Sequence, residues 1–480
     1  MPRFIELLIV GLVAGVLAAA PGVHGAAPQS DAVVAIDLDA DLGHASLRDA
    51  QTIRLLIDAA RIMETLYRQQ LAPGGLYPAD MSRGEFEAWA DTAALSPYTR
   101  IRRNAVGALE AVPYHEAWPR ELGQAARLLA RAAEITDDEA LRSYLTLRAR
   151  ALITGDYARA EAAWVKLRHS DLDVLVGPIG SGADREYGLK AAFGARVLLQ
   201  DWAWGARLAQ LTVFLPQLQQ SLPVSGAFKD EIPDVAGKLG VYDLLYHAGD
   251  ERVRLRQGAG RLLLRNVMRA RFDALAMPVA GRLVVPEQHA TASFDAWFLN
   301  TIFTEMAHGL GLRRTIDDRG TVADALREYA DTIEEAKAAV LSLWIADWLR
   351  AAGELPETTR TAHYVSFLAG IFHAVRGDAY SASGQAKMML FNYFRDWGAF
   401  RRDAATGRYR VVEADMAAAI EAFATQLLTL QGGGDYVGAA DLVASLAALR
   451  PELRADLEGL EAAGLPAAVE FRQGEHLLGL

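Results

Sequence analysis

The chain has 480 residues, a formal net charge of −11 and no cysteine. A chain of this length exceeds one ordinary hydrophobic core and predicts two or more lobes. The acidic balance, with no basic run interleaved with aromatic residues, argues against nucleic acid and anionic membrane surfaces as partners. Without cysteine no disulfide can form, so core packing alone must stabilise the fold.

Residues 1–25 have the features of an export signal. Arg3 supplies the charged start, and a mostly apolar run from Ile5 to Ala20 follows. Small residues then precede a predicted cleavage between Gly25 and Ala26. No cysteine lies near this point, which excludes a lipoprotein anchor. We expect an exported protein, in the periplasm of a Gram-negative bacterium, with an uncleaved membrane anchor as the alternative.

Helical periodicity dominates the rest of the chain and predicts an α+β fold that is mainly α. The longest predicted helices are 49–70, 121–134, 138–153, several between 292 and 350, and 416–429. Residues 173–176 and 282–286 are predicted strands, and 262–273 mixes strand and helix signals. A triple glycine at 432–434 predicts a loose turn before a final helical tail.

The stretch Phe303-Thr304-Glu305-Met306-Ala307-His308-Gly309 resembles a zinc-hydrolase helix with one ligand missing. Such helices carry His-Glu-x-x-His, because the i, i+4 spacing puts two imidazoles on one face and the Glu activates the metal-bound water. Glu305 occupies the base position and His308 the second ligand position. Thr304, a neutral and poor zinc donor, occupies the first.

A pair of acids, Glu334 and Glu335, follows on a second predicted helix. A zinc site of this class takes its third ligand from a Glu on a following helix, and Glu335 is placed for that role. The alternative is two solvated charges near a helix start, where acids favour the macrodipole.

Ordered matches along most of the chain resemble the dipeptidyl peptidase III family, in particular its shorter bacterial branch. The matching stretches are 96–99, 111–114, 160–164, 176–179, 187–193, 264–268, 293–298, 334–338, 391–393 and 398–400. The resemblance implies two lobes around a wide cleft, with a helical lobe that bears zinc and another with a small β structure. We therefore divide the chain into signal peptide 1–25, N-terminal lobe 26–220, metallopeptidase-like lobe 221–435 and helical tail 436–480.

The resemblance also implies roles for single positions. Glu335 corresponds to the zinc-binding Glu of the second family motif, Glu-Glu-x-Lys-Ala-Asp, and Glu334 precedes it at the cleft. The last acid of that motif orients a ligand histidine, and Ala339 stands in its place here. A further family histidine is replaced near Tyr380. The departures from the family pattern thus lie at positions that bind or orient zinc, whereas the scaffold stretches match the family.

Other side chains could fill the position that Thr304 leaves without a ligand. The candidates are His289, His363, His373 and Asp295. Each is one of many histidines or acids, and such residues are more often packed or exposed than ligating.

Three functions follow from the sequence. The favoured one is a secreted dipeptidyl peptidase III-like protein with lost or strongly reduced zinc-peptidase activity and a cleft that still binds peptides or a protein partner. The second is an active zinc exopeptidase that releases dipeptides from peptide N-termini. The third is different chemistry on the same scaffold. Zinc is the expected cofactor only if the protein is active, and the sequence leaves the oligomeric state open.

Overall fold

The computed structural model describes residues 33–480 apart from 44, 90, 168, 234–238 and 251–260. The signal peptide predicted at 1–25 and its cleavage site lie outside these residues. Within the described part of the chain, no helix is both long enough and apolar enough to cross a bilayer.

The N-terminal part consists of helices packed on the start of a sheet. Its helices are α1 (Leu47–Leu71), α2 (Arg83–Ala88), α3 (Tyr114–Ala117), α4 (Pro119–Ile135), α5 (Glu139–Thr154) and α6 (Ala158–Lys166). Its strands are β1 (Val33–Asp37), β2 (Thr99–Arg103), β3 (Leu109–Pro113), β4 (Leu172–Gly180) and β5 (Ala192–Gln200). The helices predicted at 49–70, 121–134 and 138–153 are confirmed as α1, α4 and α5.

The second part is mostly helical. Its helices are α7 (Trp202–Thr212), α8 (Leu215–Ser221), α9 (Arg265–Arg271), α10 (Met277–Leu283), α11 (Pro286–His289), α12 (Phe294–Ala307), α13 (Val322–Leu326), α14 (Ala330–Ala351), α15 (Arg360–Gly377), α16 (Ala382–Trp397), α17 (Glu413–Gly433), α18 (Tyr436–Leu446) and α19 (Pro451–Ala462). Its strands are β6 (Leu239–Gly249), β7 (Arg261–Leu264), β8 (Phe400–Arg402), β9 (Tyr409–Val411) and β10 (Ala468–Arg472). A π-helical turn, Phe272–Ala276, joins α9 to α10.

A four-stranded sheet connects the two parts in the order β4-β5-β6-β7. Strands β4, β5 and β6 run antiparallel, and β7 pairs parallel with β6. Every residue of β4 is buried, because helices of the first part cover the sheet. The mixed signal at 262–273 is explained by strand β7 passing directly into α9.

The buried apolar side chains form two large separate clusters, which confirms a mainly α, two-lobed α+β fold. One cluster contains the buried faces of α1, α4 and α5 with β4 and β5. The other contains α7, α8, α10 and the helices from α12 to α19. Packing crosses the linear division at 220: Leu208 and Leu218 join the second core, whereas Leu245 and Ala248 on β6 join the first.

The C-terminal segment 436–480 is helical only as far as Ala462 and then becomes extended. Strand β10 pairs parallel with β1, so the last described strand is joined to the first. The alternation of exposed and partly buried residues in both strands suits a small surface ribbon.

The prediction of a strand at 282–286 is wrong. Residues up to Leu283 continue α10, and Val284 makes only an isolated bridge to Tyr409 before Pro286 begins α11. A short apolar run has no period that separates a strand from a buried connection between helices.

Candidate functional site

Helix α12 carries the degenerate metal motif through the second core. Ser293 caps it by accepting the backbone N–H of Ala296 at 3.3 Å. Its core-facing side chains are fully buried: Phe298, Leu299, Ile302, Phe303 and Met306. Burial on this scale fixes the axial rotation of the helix. The motif positions Thr304 and Glu305, and His308 at the C-cap, are all partly buried.

The side chain of Thr304 is hydrogen-bonded to the backbone of its own helix. Its hydroxyl donates to the carbonyl oxygen of Asn300 at 2.8 Å, the i−4 bond that threonine often makes in helices. The Asn300 amide in turn donates to the carbonyl of His363 at 2.9 Å. The first ligand position therefore holds a short, locally bonded hydroxyl.

His308 keeps the orientation of a metal-binding histidine. Its Nδ1 lies 2.8 Å from Oε1 of Glu334, across the contact between α12 and α14. Metal-ligating histidines usually donate the second ring N–H to a carboxylate, which fixes the ring and leaves the other nitrogen for the ion. Nε2 of His308 has no hydrogen-bond partner among the described residues.

Glu334 receives three donors from three helices. Besides His308 they are Nζ of Lys337 at 2.9 Å and Nε2 of Gln431 at 2.9 Å. Burial alone would raise the pKa of the carboxyl, but Lys337 and His308 lower the pKa of Glu334 to about 2. Glu334 is therefore an anion at any physiological pH and holds α12, α14 and α17 together.

The loop after α12 is fixed from two sides. Lys337, which is 2% exposed, donates to the carbonyl of Leu310 at 2.9 Å. Gln219 on α8 accepts the N–H of Gly311 at 2.9 Å. Gly311 has φ +86°, and a Cβ there would meet a methyl group of Leu428 at 2.9 Å. Only glycine fits both the conformation and the space.

We expect Gly311→Ala to lower the free energy of unfolding by about 1–2 kcal/mol from the left-handed backbone alone, with an added cost from the Leu428 contact. Gly353→Ala is the matched control, because Gly353 has φ +81° and no atom lies within 4 Å of the place that an alanine Cβ would take. Urea unfolding of the two variants separates the two costs. Equal losses would show that the Leu428 contact relaxes without cost.

Glu335 and Ala339 lie one turn apart on α14. Glu335 is partly buried and makes no hydrogen bond to the described residues, whereas Ala339 is 1% exposed. The acid that the family pattern places at 339 is thus replaced by a methyl group inside the core. Glu335 is near enough to Lys387 on α16 for its charge to act on the ammonium. Burial lowers the pKa of Lys387, and the charge of Glu335 opposes that shift.

The histidines that could replace the missing ligand have other surroundings. The ring of His363 bonds Asn300 Oδ1 at 2.7 Å and the Thr358 hydroxyl at 2.8 Å, and burial lowers its pKa to about 4. Burial, with Arg271 and Arg376 nearby, also lowers the pKa of His373 to about 4. His289 ends α11 beside Gly281.

The other predicted positions are also apart from Thr304. Asp295 is exposed in the first turn of α12, and nine residues of helix correspond to roughly 13 Å. Tyr380 is 64% exposed in the loop before α16. Its carbonyl accepts the amide of Gln385 at 3.0 Å, and Gln385 contacts Thr332 at the start of α14 at 3.3 Å.

These residues do not fit a three-ligand zinc site. Catalytic zinc takes three protein donors and a water. Here the imidazole of His308 and the carboxylate of Glu335 remain, the first ligand position is a bonded hydroxyl, and the acid at 339 that would orient a ligand is gone. Among the described residues, no three His, Asp or Glu side chains converge as a metal ligand set. The retained groups of the site are His308 with its carboxylate partner Glu334, and Glu335.

Sequence reasoning did not identify Lys337, Gln431 or Lys387. Lys337 could have been found, because it stands three residues after Glu334 and so on the same helix face. Gln431 comes from another helix 97 residues further along the chain, and no sequence spacing indicates its contact with Glu334. Lys387 likewise comes near Glu335 only because α16 packs on α14.

Solved structures share both the fold and part of the sequence. Dipeptidyl peptidase III from Caldithrix abyssi aligns with a TM-score of 0.85 and 28% identity, over 93% of this chain and 98% of that one. Dipeptidyl-peptidase III from Corallococcus sp. strain EGB aligns with a TM-score of 0.73 and 27% identity, over 92% and 95% of the two chains.

A curated protein is similar as well. Nudix hydrolase 3 of Arabidopsis thaliana is 28% identical over 445 residues, which are 83% of this chain and 57% of that protein. The chain therefore spans little more than half the length of that relative. No protein-family model matches the chain.

The fold and the paired motif helices define the class: a two-lobed protein with a metallopeptidase-type helix pair. The resemblance found in the sequence is confirmed by these comparisons. The chain is similar to dipeptidyl peptidase III in fold and in part of its sequence, and its α12, the helix that matches the metal-binding motif, has threonine at the first ligand position.

Proposed function

We propose that the protein is an exported dipeptidyl peptidase III-like protein that has lost most or all zinc-peptidase activity and binds peptides, or a protein partner, in the cleft between its lobes. The observation that carries this proposal is the state of Thr304, whose hydroxyl bonds its own helix where an imidazole is required. The hydrogen bonds that join α12 and its following loop to α8, α14 and α17 are present, which supports a fold that can still bind a ligand.

Loss of the ligand and loss of the acid at 339 act in the same direction. A site reduced to two protein donors holds zinc far less tightly than one with three. Loss of the carboxylate that orients a ligand typically weakens metal affinity or activity by a further factor of roughly 10–100. Glu305 alone cannot make water a good nucleophile, because it is the metal that lowers the pKa of the bound water.

One observation favours the second candidate, an active zinc exopeptidase. His308 is still oriented by Glu334 as a ligand would be, and a carboxylate in that geometry raises the basicity of the ring. Different chemistry on the same scaffold is the third candidate, and no described residue outside the motif helices is assigned a role in it.

An assay of dipeptidyl arylamide hydrolysis distinguishes the three candidate functions. With excess zinc we expect the purified protein to show no turnover above that of Glu305→Gln, together with saturable peptide binding by calorimetry. Turnover that disappears in Glu305→Gln and in His308→Ala would establish the active exopeptidase. Turnover that survives both substitutions would indicate different chemistry.

A further inference from the structure

Residues 465–480, called the strap below, contact the hydrophobic cores of both lobes. Leu465 packs against the core of the second lobe, whereas Leu478, which is 7% exposed, belongs to the core of the first. Between them, Phe471 on β10 packs against a small third cluster that contains side chains of strands β5 and β6. The strap therefore leaves the second lobe, crosses the sheet that connects the two lobes and reaches the first.

One arginine holds the strap to the second lobe. Arg376, near the end of α15, donates from Nη1 to the carbonyl of Pro466 at 2.7 Å and from Nη2 to the carbonyl of Leu465 at 2.6 Å. A guanidinium is a rigid planar donor, so two bonds to consecutive carbonyls fix the direction in which the chain leaves α19. Hydrogen bonds from a charged donor are also stronger than those between neutral groups. The connection between α19 and β10 therefore has little slack.

Three contacts hold the strap to the first lobe. The side-chain amide of Gln473 accepts the N–H of His247 at 2.9 Å and donates to the carbonyl of the same residue at 2.6 Å, as a neighbouring strand would. His247 lies on the end of β6 that packs in the first core. Glu475 pairs with Arg61 on α1 at 3.0 Å, but this pair is partly exposed, and such pairs contribute little. The amide pairing and the burial of Leu478 therefore provide most of the attachment.

These contacts oppose relative movement of the lobes. Two bodies with separate hydrophobic cores are expected to move relative to each other unless a large interface joins them. The sheet β4-β5-β6-β7 is one connection between the lobes, and the strap is a second. Movement that pulls on the strap would expose the apolar surface of Leu478 or break the hydrogen bonds between Gln473 and β6.

We propose that the strap limits the movement of the two lobes relative to each other, and that its release from the first lobe frees them to move. Release requires no unfolding of either lobe, because after β10 the strap contributes only Leu478 and, in part, Leu480 to the first core. The inference does not depend on zinc or on peptide binding, since it concerns the lobes whether or not the space between them holds a ligand.

A distance measurement between spin labels on the two lobes tests the inference. The chain contains no cysteine, so Glu134→Cys on α4 and Glu458→Cys on α19, both at exposed positions, would carry the only two labels. In the labelled protein we expect Leu478→Asp to broaden the distance distribution measured by pulsed electron paramagnetic resonance, because a carboxylate is costly in an apolar core and the strap is released. Leu442→Asp is the matched control, because Leu442 is 8% exposed in the second core and lies outside the strap.

A second variant keeps the test decisive if Leu478→Asp does not fold. Gln473→Ala/Glu475→Ala removes the polar contacts and leaves Leu478 in place, so it should unfold close to the wild-type temperature and broaden the distribution by a smaller amount. The inference fails if the folded strap variants keep the wild-type distribution, or if Leu442→Asp broadens it as much as Leu478→Asp. The proposed function is tested separately, because no step of this experiment uses a ligand.

Discussion

The double variant Thr304→His/Ala339→Asp is expected to bind zinc roughly 10–100-fold more tightly than Thr304→His alone, and wild type more weakly than either. The single change restores two imidazoles at i, i+4 on α12. The second change restores a carboxylate at the position where the family pattern places the acid that orients a ligand histidine. Competition with a chelating dye measures the three affinities.

The two substitutions should also be coupled in stability. Ala339 is 1% exposed, so an unpartnered carboxylate there should cost about 3 kcal/mol or more of the free energy of unfolding. A histidine at 304 supplies a partner and should recover part of that loss. Thr301→His/Ala339→Asp is the matched control, because residue 301 lies on the same helix three residues earlier. Two results would contradict this geometry. One is that the changes in free energy of unfolding of Thr304→His and Ala339→Asp simply add in the double variant. The other is that Thr304→His binds zinc equally well with and without Asp at 339.

Lys337→Met should destabilise the protein by about 3 kcal/mol, the usual cost of breaking a buried charged pair from one side. It leaves Glu334 with two donors instead of three and the Leu310 carbonyl without a partner. Urea unfolding at pH 7 measures the change. Lys166→Met, an exposed lysine, should stay within about 0.5 kcal/mol of wild type. A loss for Lys337→Met no larger than this control would show that the Glu334 network does not hold the helices together.

The same network predicts a pH dependence. The folded-state pKa of Glu334 is depressed from 4.5 to about 2. Its ionised form therefore contributes stability above about pH 4.5, and that contribution is lost as the pH falls towards 2. The difference in free energy of unfolding between wild type and Glu334→Gln should be constant near neutrality and shrink across this acid window. If the difference in free energy of unfolding between wild type and Glu334→Gln is unchanged from pH 6 to pH 2, the ionised Glu334 does not contribute the stability assigned to it.

Local signals predicted the parts of the fold that have a clear period. Helices α1, α4 and α5 were expected within a few residues of their ends, because caps such as Ser46 and Asp138 and regular apolar spacing mark them. The segment 282–286 was mispredicted, since its short valine run is buried between helices. The pairing of β10 with β1 joins residues more than 400 positions apart, and no local pattern encodes it.

The candidate site was likewise predictable only in part. The spacing of Thr304, Glu305 and His308 and the acid pair on α14 located the site and its missing ligand. The contact of His308 with Glu334 requires the crossing of two helices, and the donor Gln431 comes from a third helix that tertiary packing alone brings there. Sequence therefore showed which donor is absent, and the structure showed which of the remaining groups are already bonded. Export to the periplasm remains a prediction, because its signal lies outside the described residues.

The zinc content of the purified wild-type chain tests the central claim most directly. After dialysis against micromolar zinc and removal of weakly held metal, elemental analysis should find well under one equivalent per chain, and one equivalent in Thr304→His/Ala339→Asp. One tightly held zinc per wild-type chain, lost in His308→Ala, would contradict the account, because it would require a donor that the described residues do not bring to this site.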